Sequence, residues 1–118
     1  MLSVIVVHFK NPEALKRCLV SLEKTIRETS YEIIVIESAS TGITEAMLAE
    51  RFPKVRCFSF KENSGYAKAV NAGIHHARGE YILILNHDIV VSDDAIDALM
   101  RNFLVLERTH HAGMAGPR

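Results

Sequence analysis

Apolar residues in this chain fall into short blocks of two kinds, and the spacing within each kind predicts its structure. Leu2 to His8, Tyr31 to Glu37, Val55 to Phe60 and Tyr81 to Leu85 are compact runs rich in β-branched and aromatic residues, the composition of strands. The run Tyr81-Ile82-Leu83-Ile84-Leu85 is unbroken and passes directly into Asn86-His87-Asp88, which predicts a parallel strand buried on both faces. Between these runs the spacing becomes helical. Asn11-Pro12 offers a cap and a first-turn proline, and Leu15, Cys18, Leu19, Leu22 and Ile26 form one face of a helix from Pro12 to about Glu28. Thr44, Met47 and Leu48 predict a short helix to about Arg51, stopped before Pro53. Ala67, Val70, Ile74 and Ala77 predict the packed face of a third helix that ends near Arg78-Gly79. Ser92 caps a fourth, with Asp93 and Asp94 in its first turn facing the helix dipole and Ile96, Leu99, Met100, Phe103 and Leu106 as its buried stripe. Ala112 to Ala115 is a candidate fifth strand, with a turn at Gly116-Pro117.

Strand and helix alternate four times, which predicts an α/β fold: a Rossmann-like, mostly parallel sheet of four to five strands with helices on both faces. At 118 residues the chain is one domain, 1–118.

Charge changes the picture by exclusion. Fourteen basic residues balance fourteen acidic ones, so no global field points to nucleic acid or an anionic membrane, and any anionic ligand must be bound locally. No apolar run approaches the roughly 20 residues that span a bilayer, and the chain opens on a strand rather than a signal peptide. A cytoplasmic protein is expected. Cys18 and Cys57 sit in apolar contexts without CxxC spacing, as buried reduced thiols do.

The candidate chemistry lies at the strand ends. His8, Glu37, and Asn86 with Asp88 terminate three of the four strands, where ligands of open α/β sheets gather. There is neither a GxGxxG after the first strand nor a P-loop. A carboxylate beside an amide suits a hard divalent cation such as Mg2+ or Mn2+, and a bridging metal can neutralise a diphosphate for which the protein has no glycine-rich cradle. The same triplet also suits a plain strand-to-helix turn.

Four motifs in order resemble the nucleotide-binding half of family 2 glycosyltransferases, which have the GT-A fold. They are Val4 to Asn11, similar to an opening strand ending in VTYN; Glu32 to Thr41, similar to EIIVVDNASTD; Glu62 to Ile74, similar to ENxGFAxAxNxGI; and Ala77 to Asp88, ending where that family carries its metal-binding DxD. The resemblance implies that Glu37 stands where an acidic residue contacts the base, that Asp88 holds a metal bridging two phosphates, and that Asn86 shares that metal site. It implies nucleotide contacts at His8, Glu37, Ser40, Asn63, Gly65, Lys68, Asn71 and Asn86. Asn86 in place of the first Asp resembles rhamnosyltransferase-like members. Glu37 is a methylene longer than the usual Asp, Ser38 and Gly42 replace an Asn and an Asp, and Val70 stands where some members carry Arg, leaving Lys68 as the candidate substitute.

The implied partners are a UDP-, dTDP- or GDP-linked sugar and an acceptor that is a sugar, a lipid-linked glycan or a polysaccharide. The implied reaction is metal-assisted, inverting transfer to a hydroxyl. In such families the catalytic base lies in the second half of the domain, so the chain is expected to be a donor-binding fragment of a longer transferase, peripheral to the inner face of the membrane when full length. A half-domain leaves a sheet edge uncovered, which predicts self-association. The other reading is a nucleotide-sugar-binding or regulatory α/β module without catalysis. Adjacent His75-His76 and His110-His111 project in different directions and predict surface histidines. Asp93, Asp94 and Asp97 are explained by a helix dipole, and Arg51, Lys54 and Arg56 are expected to be solvated.

Overall fold

Among the described residues a single four-stranded sheet, parallel throughout, organises the molecule. The computed structural model describes residues 1–39, 41–62 and 65–110, with side chains as far as residue 103. In chain order the elements are β1 (Leu2–Phe9), α1 (Pro12–Thr25), β2 (Tyr31–Ser38), α2 (Ile43–Arg51), β3 (Arg56–Ser59), α3 (Tyr66–His76), β4 (Tyr81–Asn86) and α4 (Ala95–His110). The strand order is β3-β2-β1-β4. The candidate fifth strand lies outside the described residues.

This order follows from right-handed crossovers. From β1 the chain steps outward to β2 and β3, then returns past β1 to β4. The two directions of travel put α1 and α2 on one face and α3 on the other. On the first face Leu15, Cys18, Leu19 and Leu22 of α1, Leu48 of α2, and Ile96 and Met100 of α4 pack on Val4, Val6, Ile33, Val35, Leu83 and Leu85. Leu15, Leu19 and Leu22 are fully buried, each contributing roughly 1.5–3 kcal/mol relative to exposure. The second face is thinner: Ala69, with Ala72 and Ala77 beside it, meets Ile5, Ile34 and Ile36.

Several expectations need correction. The packed face of α3 is turned from the one the spacing predicts: Ala69 and Gly73 are buried, whereas Ala67 is exposed and Ile74 is 43% exposed. Small residues let the helix come close. A Cβ on Gly73 would lie 2.5 Å from Ile5 Cγ2, so the helix seats on its smallest face. Because α3 packs on β1 and β2, it leaves the second face of β4 open. Ile82 and Ile84 there are 39% and 37% exposed, so among the described residues β4 is an edge strand with one buried face, not two.

The first helix ends at Thr25 rather than near Glu28, because Asp97 captures the next backbone. Its carboxylate accepts the N–H groups of Arg27, Glu28 and Thr29 and the Thr29 hydroxyl. Asp97 is thus a buried connector, beyond any dipole role. The fourth helix starts at Ala95, after Asp93 and Asp94, with Ala98 N–H bonded to the Asp94 carbonyl. Arg56 is not simply solvated: it pairs with Glu32 at 3.1 Å and donates to the His76 carbonyl at 2.8 Å. His76 stacks on Phe58, with ring centroids 3.7 Å apart.

Candidate functional site

In a fully parallel sheet all strands end at the same edge, and register decides which residues meet there. His8 pairs with Glu37 across β1 and β2, and Val7 pairs with Asn86 across β1 and β4. The chain reverses its direction of travel between β1 and β4. That junction is the topological switch point, where the loops after the two strands diverge and leave a crevice. A cavity of about 280 Å³ lies there, lined by Val7, Phe9, Tyr66, Asn86, His87 and Asp88. A cavity of similar size beside β4, lined largely by Leu2, Ile82, Ile84, Leu99 and Phe103, offers few polar groups. At the switch point the polar side chains Asn86, His87 and Asp88 gather around one cavity.

Local backbone builds the crevice. Lys10 and Ala39, directly after β1 and β2, take left-handed φ values of 51° and 58°. Non-glycine residues in that region cost free energy and concentrate at functional sites. Gly42 (φ 87°) and Gly65 (φ 92°) open α2 and α3, the conformation glycine adopts at least cost. Asn11 caps α1, its side chain accepting Ala14 N–H. Helices that follow parallel strands all begin at this edge, so their N-terminal N–H groups favour an anion there.

Each candidate has a definite place. Asn86 and Asp88 are exposed at the end of β4, with hard oxygen donors and one negative charge. Gly65, Lys68 and Asn71 lie at the start and along the exposed side of α3. Ser40 and Asn63 are outside the described residues. Glu37 is buried, and its carboxylate hydrogen-bonds to His8 Nδ1. His8 is fully buried and its other nitrogen, Nε2, accepts Asn11 N–H at 2.8 Å. The ring of His8 is thus engaged within the protein through both nitrogens. His87 turns from its neighbours, its Nδ1 3.3 Å from the Val7 carbonyl and its ring edge-on to His8.

Two residues of the crevice carry no signal that strand-end reasoning uses. Phe9 and Tyr66 are 43% and 53% exposed, and such rings offer flat surfaces to a base or a sugar. Their signal was an aromatic residue directly after a polar strand end and directly after Gly65. Cys18 is close enough to feel Asp88. Burial first, and then the Asp88 charge, push its thiol up to about 11, so it is neither a nucleophile nor a thiolate ligand at neutral pH. Cys57 is raised to about 11, chiefly by burial. Both cysteines are free.

The match to known proteins agrees with this geometry. The model of glycosyl transferase family 2 matches residues 3–110, and the chain belongs to that family. It is 34% identical over 101 residues to the poly(ribitol-phosphate) beta-N-acetylglucosaminyltransferase TarP of Staphylococcus aureus, covering 82% of this chain and 31% of that protein. It is 29% identical over 108 residues to chondroitin synthase of Pasteurella multocida, covering 88% of this chain and 11% of that protein. Among solved structures, S. aureus TarS superposes with a TM-score of 0.73 at 24% identity, over 93% of this chain and 20% of that one. The mannosyltransferase PcManGT of Pyrobaculum calidifontis, solved with GDP-Man and Mn2+, superposes with a TM-score of 0.65 at 27% identity, over 74% of this chain and 27% of that one. The chain spans about a third or less of the curated relatives named here. Its fold is the α/β fold of these GT-A neighbours.

Proposed function

We propose that this chain is the donor-binding half of a glycosyltransferase that moves a sugar from a nucleoside diphosphate to an acceptor hydroxyl. One observation carries the reading: Asn86 and Asp88 leave the sheet at its switch point, beside a crevice flanked by Phe9 and Tyr66. The diphosphate lies along this edge, and the base is received towards β2, where Glu37 ends its strand. Gly65, Lys68 and Asn71 of α3, with Ser40 and Asn63, complete the nucleotide contacts. A relative structure solved with UDP and another solved with GDP-Man and Mn2+ support a nucleoside diphosphate as ligand, UDP-, dTDP- or GDP-linked.

The residues fit a hard cation. Among the described residues no group of three or more His, Cys, Asp or Glu side chains forms a complete cage. One carboxylate and one amide oxygen suit Mg2+ or Mn2+, which keep water and take their remaining oxygens from phosphate. Asp88 and Asn86 would hold the ion. When bound, it supplies positive charge to the leaving diphosphate.

Transfer with inversion belongs to the complete protein, whose catalytic base and acceptor site, for a sugar, lipid-linked or polysaccharide hydroxyl, lie outside this half. The Asn86-His87-Asp88 form supports a rhamnosyltransferase-like member. No helix among the described residues is long and apolar enough to cross a membrane, and we assign the full-length protein to the cytoplasm, peripheral to the inner membrane face. The open edge of β4 supports self-association of this chain.

Calorimetric titration with UDP, dTDP and GDP, each with and without Mn2+, tests the reading. Metal-dependent binding of one of them is expected. No binding of any of the three at millimolar concentration overturns the assignment of this chain as a sufficient donor half, and nucleotide binding by a full-length protein inactive in transfer would favour a non-catalytic module.

A further inference from the structure

We infer that His8 is a positioning residue that sets nucleobase selectivity through Glu37: it holds one carboxylate oxygen so that the other is presented at the carboxyl edge of the sheet and accepts an N–H from the base. The inference rests on the donor-binding reading above and assigns the element that would make Glu37 selective.

The hydrogen bonds specify the ring. Lys10, with its left-handed backbone, turns the chain so that Asn11 N–H points back to His8 Nε2 at 2.8 Å. An atom that accepts an N–H presents a lone pair, so the ring proton is on Nδ1. That proton faces Glu37 Oε2. The ring is fully buried, and His87 closes its side edge-on, with centroids 5.1 Å apart at 86°. His8 therefore has one tautomer and one orientation, both set by the start of α1.

Glu37 inherits that order. Among the described residues His8 is the hydrogen-bond partner of its carboxylate, and no buried side-chain nitrogen or oxygen lacks a partner. Oε1 is therefore the oxygen that reaches solvent, from a residue only 3% exposed. A fixed carboxylate oxygen accepts and does not donate. It matches uracil, thymine or guanine, each of which presents a ring N–H, and opposes adenine or cytosine, whose corresponding ring nitrogen is an acceptor. A site built around such a hydrogen bond discriminates because the wrong ligand leaves a polar group unpaired.

The test compares two substitutions that divide the duties of the ring. The side chain of His8→Asn is short and places its amide N–H near the Nδ1 position, towards Glu37. That of His8→Gln is longer and places its amide carbonyl near the Nε2 position, serving Asn11 alone. For each, calorimetry with Mn2+ gives the affinity for the preferred nucleoside diphosphate relative to inorganic pyrophosphate, which has no base.

Loss of one charge-assisted hydrogen bond should lower this ratio roughly 10-fold in His8→Gln. His8→Asn should keep the ratio, and pyrophosphate affinity should not change in either. Glu37→Gln should lose the ratio to the same extent, and adding His8→Gln to it should cost nothing further. An unchanged ratio in folded His8→Gln, or losses that multiply in the double variant, overturns the inference. If His8→Gln does not fold by circular dichroism, His8→Asn and Glu37→Gln decide: a ratio lost in His8→Asn overturns it, and one kept there but lost in Glu37→Gln supports it. Unmodified chain that binds nucleoside diphosphates no better than pyrophosphate overturns the base contact itself, a failure distinct from a base preference that survives the change at His8.

Discussion

Asp97 and Thr29, 68 residues apart in sequence, meet at one oxygen: Asp97 Oδ1 accepts the Thr29 N–H at 3.0 Å and its hydroxyl at 2.6 Å. The other oxygen accepts Arg27 N–H at 2.9 Å and Glu28 N–H at 3.1 Å. One side chain of α4 thus satisfies three consecutive amides leaving α1. Asp97→Ala orphans them and should destabilise the chain by about 2–4 kcal/mol, read from the shift of a urea midpoint. A midpoint within error of the unmodified chain would refute the role.

The same carboxylate sets a pH dependence. Burial raises its pKa, but the Thr29 hydroxyl and the three backbone N–H groups outweigh burial and hold it below the usual 3.8. A group whose folded pKa is depressed contributes stability above its unfolded value and loses it as pH falls through the folded one. Its contribution should be complete above about pH 5 and fade as pH falls below the ordinary Asp value. Thermal melts of the unmodified chain and Asp97→Asn, compared down the acid range, should converge at the lowest pH. Curves that remain parallel would count against the assignment.

Gly73 of α3 is seated against Ile5 of β1, and Gly73→Ala places a methyl 2.5 Å from Ile5 Cγ2. Backbone conformation is no obstacle, so the effect isolates packing. Overpacking should cost about 1–3 kcal/mol, against the slight gain that alanine brings to an exposed helix. A more stable variant in chemical denaturation would mean that α3 can lift without penalty.

Asp88→Ala should abolish the Mn2+ dependence of nucleoside diphosphate binding, while the fold, judged by its melting temperature, is retained. Asn86→Asp adds a second carboxylate and should tighten Mn2+ binding about 10-fold, because affinity for hard cations follows ligand charge. Metal-dependent binding that survives Asp88→Ala would remove Asp88 from the metal site.

The open edge of β4 predicts concentration-dependent association. Ile74, Ile82 and Ile84 are exposed beside a strand edge that no described strand pairs, the combination that invites pairing with another chain. Light scattering should report a dimer or larger species that shifts towards monomer in Ile82→Lys/Ile84→Lys. A monomer at the highest concentration reached would end this expectation.

Much of the architecture was legible because it depends on neighbours in sequence. The Asn11-Pro12 cap, the α1 stripe from Leu15 to Leu22 and the four β-branched runs each declare an element within a few residues. Polar residues at the strand ends pointed to one edge because parallel strands end together. Phe9 and Tyr66 were missed because an exposed aromatic has the same signature as a core residue until its burial is known. Arg56 was misjudged because its partners, Glu32 and the His76 carbonyl, come from other elements.

What the sequence determined by itself was therefore local: helix and strand, their alternation, and the family-like order of motifs ending in Asn86-His87-Asp88. What only the tertiary structure decided was which distant groups satisfy one another. His8 and Glu37 are 29 positions apart and meet through β1–β2 register, and Asp97 reaches α1's exit only because α4 packs beside it. Strand order made β4 an edge and left Ile82 and Ile84 in solvent. A buried polar group must find a partner wherever the fold brings one within reach, and sequence spacing alone does not contain that distance.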